Sequence, residues 1–140
     1  MDVRDDVVEI LAGFSLFADL STPELDRLIQ LFDEAWFAED ERVLRQDFTG
    51  SGFYVILEGS AVIRVDGTDR TTLNRGDYFG EISSLLGVPP TADIVAKSRL
   101  RCLVLPGDQL EGLLVRHPRL MYRLLQGEAR KLRNTIRWQS

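Results

Sequence analysis

Gly80-Glu81-Ile82-Ser83 and Thr91-Ala92 carry the residue types that hold an oxyanion beside a hydroxylated ring. Gly80 follows the aromatic pair Tyr78-Phe79 and permits a tight turn with close backbone approach. Glu81 to Leu86 reads as a short helix, and the unbonded amides at a helix start favour an anion. Gly87 stops that helix, Pro89-Pro90 forces an extended path, and Thr91-Ala92 opens a strand. An oxyanion between those amides and the Thr91 hydroxyl is well placed. Glu81 is an acid at the mouth of an anion site, so its suitable task is to accept hydrogen bonds from a sugar hydroxyl. The chemistry implied is recognition of a ligand carrying phosphate and ribose together, with Gly80, Glu81, Ile82, Ser83, Thr91 and Ala92 as candidate ligand-binding residues.

Phe79-Gly80-Glu81-Ile82 through Thr91-Ala92 resembles the phosphate-binding cassette of the cyclic-nucleotide-binding domain family, the sensor of catabolite-activator proteins and kinase regulatory subunits. Upstream, Gln46 to Gly59 is similar to that family's strand, turn and strand, with a hydrophobic run ending in glycine. The similarity extends from about Leu16 to Arg137. It implies a cyclic nucleotide such as cAMP as ligand, with Gly80 and Glu81 at ribose and phosphate and with Thr91 and Ala92 giving the phosphate a hydroxyl and an amide. It also implies a C-terminal helix that closes over the base or pairs with its twin in a homodimer, and that moves when ligand binds.

Pro90 departs from the family pattern. Tight binders carry arginine there, and proline has neither charge nor donor. An unpaired buried charge costs about 3–5 kcal/mol, or roughly two to four powers of ten in affinity, so weak binding is expected. Strand alternation puts Asp93 on the face of Thr91, where it would oppose an anion. Lys97, Arg99 and Arg101 follow, either as compensating cations or as the solvent face of a strand. A glycine turn and short helix could also be retained only to close the end of a barrel.

The elements that must position these residues run as helices, then strands, then helices. Ser21-Thr22-Pro23-Glu24 has the form of a capping box, with Leu25, Leu28, Ile29 and Phe32 at helical spacing after it. Short β-rich runs follow at 42–45, 53–57, 61–65, 70–73 and 99–105, with Asp66-Gly67 marking a hairpin. The fold class expected is mainly β with flanking helices, and the resemblance implies a jelly-roll barrel of about eight strands. The chain is read as one domain, with N-terminal helices over 1–34, a barrel over 35–105 containing the cassette at 78–92, and C-terminal helices over 106–140. Helical period returns over 107–115 and from Pro118 to about Trp138, where Met121, Leu124, Leu125, Leu132 and Ile136 make an apolar stripe suited to core or dimer packing. Gly127 marks either a bend or a tolerated helical glycine, and Trp138 caps a ligand, packs on a partner or ends the fold.

Composition narrows the function classes. A chain of 140 residues with 44% hydrophobic content is long enough to bury a core. A net charge of -5 argues against direct nucleic-acid binding. Up to Asp47 there are thirteen acids against four bases, whereas from Pro118 there are six bases against Glu128 alone. That basic face reads as a solvated helix surface. Cys102 alternates with Leu100 and Val104 and reads as core, and His117 before Pro118 has no second ligand residue to complete a metal site. No apolar run suits a bilayer and the acidic start is unlike a secretory signal, so no membrane association and a cytoplasmic location are expected. No nucleophile with its base, paired carboxylates or Walker loop is present, so an enzyme is not expected, nor is a cofactor. Three readings remain. The first is a regulatory ligand-sensing module. The second is a degenerate domain used for association. The third is the sensor half of a transcription regulator, since the chain ends with the long helix and leaves no residues for a helix-turn-helix.

Overall fold

The computed structural model describes residues 3–139, with side chains described over 6–136. The side chain of Trp138 therefore lies outside the described residues. Helix α1 spans Val3–Ala12, a single 3-10 turn follows at Ser15–Phe17, and α2 spans Thr22–Ile29. The start of α2 is fixed as its sequence predicts. The Glu24 amide donates to Ser21 Oγ at 3.3 Å, the Ser21 amide donates to Glu24 Oε1 at 3.1 Å, and Pro23 sits in the first turn. Such a cap is worth about 0.5–2 kcal/mol. It aims Leu25, Leu28 and Ile29 into the core.

Eight strands form two antiparallel four-stranded sheets, ordered β1-β8-β3-β6 and β2-β7-β4-β5. Their spans are β1 Asp33–Phe37, β2 Arg42–Leu44, β3 Gly52–Glu58, β4 Ala61–Val65, β5 Thr68–Leu73, β6 Tyr78–Phe79, β7 Asp93–Ala96 and β8 Leu100–Pro106. The mainly β jelly roll with flanking helices is thus the fold. Asp66 and Gly67 join β4 to β5 with φ of 50° and 78°, the doubly left-handed turn that matches strand twist. β1 starts two residues before the expected barrel boundary at Ala35 and takes in Glu34, which was read with the N-terminal helices. Its polar, half-exposed run lacks the alternation that betrays a strand. β7 begins at Asp93, leaving Thr91 and Ala92 in the bend before it instead of inside the strand.

The central strands explain where the core sits. Along β3, Phe53, Val55 and Leu57 face the helices, whereas Ile56, with the partly buried Tyr54, faces the second sheet. β8 repeats this, with Leu103 and Leu105 toward the helices and Leu100 and Cys102 between the sheets. A strand buried on both faces has no solvent side, which corrects the reading of Arg101 as one of a solvent row. Its side chain is 5% exposed and pairs with Glu34 at 2.7 Å, Asp6 at 3.0 Å and Glu58 at 3.5 Å. It ties α1 and β1 to the sheet, and with Arg99 it lies over Trp36.

Helix α3 spans Glu81–Leu86, α4 spans Leu110–Arg116 after a 3-10 turn at Gly107–Gln109, and α5 spans Pro118–Gln139. His117 ends α4, its amide donating to the Leu113 and Leu114 carbonyls. The apolar stripe expected on α5 divides. Leu120 and Leu124 are buried, while Met121, Leu125, Leu132 and Ile136 are exposed. The start of α5 is held by Asp19, which accepts from Arg123 at 2.8 Å and pairs with Arg119 at 2.9 Å. The Arg123 guanidinium, with Arg119 beside it, holds the Asp19 carboxyl at about 2.

A depressed carboxylate stabilises the fold above its unfolded value, about 3.9, and loses that contribution as pH falls through its folded value. Asp19→Asn should therefore be less stable than the natural chain at neutral pH, and the difference should close as pH falls from about 4 to about 2. Urea unfolding of both chains across that range measures it. A gap that persists unchanged at the acid end refutes the ion-pair account.

Candidate functional site

The turn at Gly80 is the pivot of the site. Its φ is 84°, and a Cβ there would collide with the Gly52 carbonyl oxygen of β3. Only glycine permits the chain to leave β6, press against β3 and enter α3 in one step. Gly87, at φ 66°, closes the other end of the helix, its amide donating to the Ser83 carbonyl at 2.9 Å. Across the gap, Pro90 and Asp93 are held from the turn that follows β2. The Asp47 amide donates to the Pro90 carbonyl at 2.9 Å, and the Gln46 amide donates to Asp93 Oδ1 at 2.7 Å.

These constraints bring all six candidate residues to one cavity of about 90 Å³, lined by Gly80, Glu81, Ile82, Ser83, Thr91 and Ala92. Ile82 and Thr91 are exposed, Ala92 is half-buried, and Glu81 and Ser83 are buried. The Ser83 hydroxyl is directed to its own helix, donating to the Gly80 carbonyl at 3.3 Å. Pro90 is buried in the same wall. Tyr78 and Phe79, with Leu44, Ile63 and Ile94, make the rest largely apolar.

Asp93 does not oppose an anion here. Its carboxylate is engaged by the Gln46 amide and lies 3.7 Å from Arg42, outside the cavity lining. Nor do the three expected cations reach the cavity. Lys97 lies 4.0 Å from Asp69, Arg99 rests on Trp36, and Arg101 is engaged by Glu34 and Asp6. Strand alternation ranks these side chains by face but says nothing of which end of the barrel they occupy.

The cation that does reach the cavity is Lys131 of α5. Its Nζ donates to Glu81 Oε1 at 3.2 Å and to Glu128 Oε1 at 3.3 Å, and lies 4.4 Å from the centre of the Tyr78 ring. Glu81 is 4% exposed, and its Oε2 has no hydrogen-bond partner among the described residues. Burial raises its pKa above the usual carboxylate range, Lys131 pulls it back, and Glu128 adds to the rise. Burial, reinforced by Glu128 and Glu81, likewise raises the Tyr78 hydroxyl.

Sequence reasoning missed Lys131, although the spacing Leu120, Leu124, Gly127, Lys131 traces one face of a helix and could have found it. Gly127 belongs to that line, and its lack of a side chain has a packing reason. A Cβ there would collide with the Tyr78 hydroxyl, so its absence lets α5 lie directly on β6. The Tyr78 hydroxyl donates to the Leu124 carbonyl at 3.5 Å.

Other candidate chemistry is thin. Burial pushes the Cys102 thiol up to about 12, which leaves it protonated and unreactive at neutral pH. No group of three His, Cys, Asp or Glu among the described residues could hold a metal ion. A larger groove of about 710 Å³ lies between α3, α4 and α5, but among the described residues Asp108, Glu111 and Glu128 are the only charged side chains lining it. It is unsuited to phosphate. No described helix is long and apolar enough to cross a membrane.

Comparison with known proteins agrees with this geometry. A family model described as the cyclic nucleotide-binding domain matches residues 34–117. The chain is 33% identical over 128 residues to a putative potassium channel protein of Rhodopseudomonas palustris, covering 88% of this chain and 31% of that protein. It is 31% identical over 108 residues to a cAMP-dependent protein kinase regulatory subunit of Mucor circinelloides, covering 74% of this chain and 25% of that one. The chain thus spans a third or less of the length of these curated relatives. Among solved structures, the catabolite activator protein of Thermus thermophilus superposes with a TM-score of 0.77 at 26% identity, covering 86% of this chain and 59% of that one.

The docking of α5 on Tyr78 is testable through Gly127→Ala. Alanine favours the helix by up to about 1 kcal/mol, yet its methyl group would collide with the Tyr78 hydroxyl. Amide exchange after residue 124 should accelerate by about tenfold or more while far-UV helicity holds or rises. Unchanged exchange would show that close approach at Gly127 does not govern docking.

Proposed function

Because this chain belongs to the cyclic nucleotide-binding domain family, we propose that it is a regulatory ligand-sensing module, taking a cyclic nucleotide such as cAMP or a related phosphate-bearing small molecule and repositioning α5 in response. The observation that carries this reading is the Glu81 carboxylate. It is nearly fully buried, it lines the same cavity as the other candidate residues, and its Oε2 lacks a hydrogen-bond partner among the described residues. A buried acceptor without a donor costs about 1–3 kcal/mol or more, and a ribose hydroxyl would satisfy it. Phosphate would meet the Ile82 and Ser83 amides at the start of α3, the Ala92 amide and the Thr91 hydroxyl.

The cavity of about 90 Å³ is well below the ~300–1,000 Å³ of small-molecule pockets. A nucleotide therefore needs one wall to move. Gly80, Glu81 and Ser83 are fixed by the cassette turn, whereas the Lys131 wall belongs to α5, joined to β6 and the cassette by the Tyr78–Leu124 hydrogen bond and the Lys131–Glu81 pair. A shift of α5 that widens the cavity while the long Lys131 side chain still reaches it is thus the natural consequence of filling the site. The absence of a cassette arginine at Pro90 supports weak binding. The reading is non-catalytic, and the effector that listens would lie elsewhere in a longer protein, as the short coverage of the relatives suggests.

A second reading has its own observation. Leu125, Leu132 and Ile136 are 63%, 62% and 55% exposed along α5, a row suited to pairing with a second copy. The proposed dimer is compatible with sensing and does not require it.

Calorimetric titration with cAMP and cGMP into the millimolar range, with linear AMP as control, tests the proposal. The expected result is saturable binding selective for a cyclic form, weakened about tenfold or more by Glu81→Ala. Absence of binding by the natural chain at those concentrations, with a dimer disrupted by Leu125→Glu in sedimentation, would leave association as the function.

A further inference from the structure

The sensing proposal leaves a charge to be accounted for. A phosphodiester brings a negative charge into a cavity whose wall already holds the Glu81 carboxylate, and Pro90 contributes no cation. Among the described residues lining that cavity, Lys131 alone is positively charged. The nearest other cations are committed elsewhere. Arg42 and Arg45 line a separate cavity on the far side of Pro90, where Arg42 lies 3.7 Å from Asp93 and Arg45 sits over Phe48. Arg64 donates to Asp69 at 2.7 Å.

Resting on the sensing reading, we infer that Lys131 is the specificity-determining cation of this site: it meets the ligand's phosphate charge from α5, in the role left empty at Pro90. Three observations carry this. Its ammonium is already inside the site, 3.2 Å from Glu81 Oε1 and 4.4 Å from the Tyr78 ring centre. Its pairing uses only one oxygen of Glu81 and leaves Oε2 for a ligand hydroxyl, so the ammonium and the sugar do not compete for the same atom. Its side chain is 48% exposed, unlike the 6% of Glu81, and has the room and the rotatable bonds to turn toward a phosphate beside Thr91 and Ala92.

The ammonium has two tasks in this arrangement. It offsets the Glu81 charge, which would otherwise repel the ligand, although it also pairs with Glu128 at 3.3 Å, and it attracts the phosphate directly. Neither task is possible when α5 is undocked, so ligand charge and helix position become linked. A ligand of the same shape without the negative charge gains nothing from Lys131, which makes the residue a selector for anionic ligands.

The test is titration of cAMP into five chains: the natural sequence, Lys131→Gln, Lys131→Arg, Pro90→Arg, and the double variant of Lys131→Gln with Pro90→Arg, each checked for fold by far-UV circular dichroism. Lys131→Gln should weaken binding about tenfold or more and flatten its salt dependence, while Lys131→Arg holds affinity within about threefold. In the double variant the arginine at position 90 should restore affinity lost at 131. Unchanged or tighter binding by Lys131→Gln overturns the inference and leaves the sensor reading intact, tighter binding meaning that Lys131 is a latch against the ligand. Binding by Pro90→Arg with none by the natural chain also overturns it, because Lys131 would then fail to supply the charge. If neither chain binds, the sensing proposal itself fails and the inference falls with it.

Discussion

A carboxylate withdrawn from water needs a positive partner, and for Glu81 that partner comes from the far end of the chain. Isolated, such a buried charge costs several kcal/mol and its acid takes up a proton instead. Here burial does raise the Glu81 pKa, and Lys131 opposes the rise. The pair is asymmetric, with the acid fixed by the Gly80 turn and its side chain 6% exposed, while the side chain of the base is 48% exposed on a helix. Asymmetry of this kind lets one partner stay in place as the other leaves. The cassette and α5 are therefore joined by an interaction strong enough to favour docking and accessible enough to be broken.

What makes the cassette a fixed point is the two-faced burial of β3 and β8. Phe53, Val55, Leu57, Leu103 and Leu105 pack against the helices, and Ile56, Leu100 and Cys102 pack between the sheets. Each fully buried large side chain contributes about 1.5–3 kcal/mol, so the strands from which Gly80 takes its bearing do not shift at small cost. Tyr78 and Phe79 join this frame on both sides, Tyr78 against Phe53 and Phe79 stacked on Tyr54 at 4.7 Å. Strands packed on both faces, with α5 joined to them at Tyr78 and Glu81, form the physical basis for the proposed repositioning of the helix.

The legible parts were those encoded by local backbone chemistry. The Ser21–Glu24 cap, the Asp66-Gly67 hairpin and the Gly80 and Gly87 boundaries each follow from a short run of residues, and the structure places them where the run predicts. The two-sheet architecture was legible through family resemblance and the rhythm of strands and turns. The unreadable parts were long-range. Arg101 looked like one of a row of exposed bases because nothing local reveals that β8 is central. Asp93 looked hostile to anions because its partner amide, Gln46, is 47 positions away. Lys131 lies 50 positions from Glu81, and only its place on the line of Leu120, Leu124 and Gly127 hinted that it turns inward. The packing role of Gly127 was out of reach for the same reason, since its neighbour Tyr78 belongs to a distant strand.

A cation on a moving helix differs in consequence from one built into the cassette. An arginine in the loop serves the phosphate whatever α5 does, so intrinsic affinity and helix position are separable. With the phosphate charge met from α5, as proposed, affinity would scale with the fraction of molecules in which α5 is docked. By linkage, ligand then stabilises the docked state by the same factor. On the same proposal, each contact that sets docking, from the Asp19–Arg123 pair to the bare backbone at Gly127, would become a contact that sets affinity without touching ligand. On this reading, loss of the cassette arginine moves control of binding from the loop to the helix and does not amount to loss of a sensor.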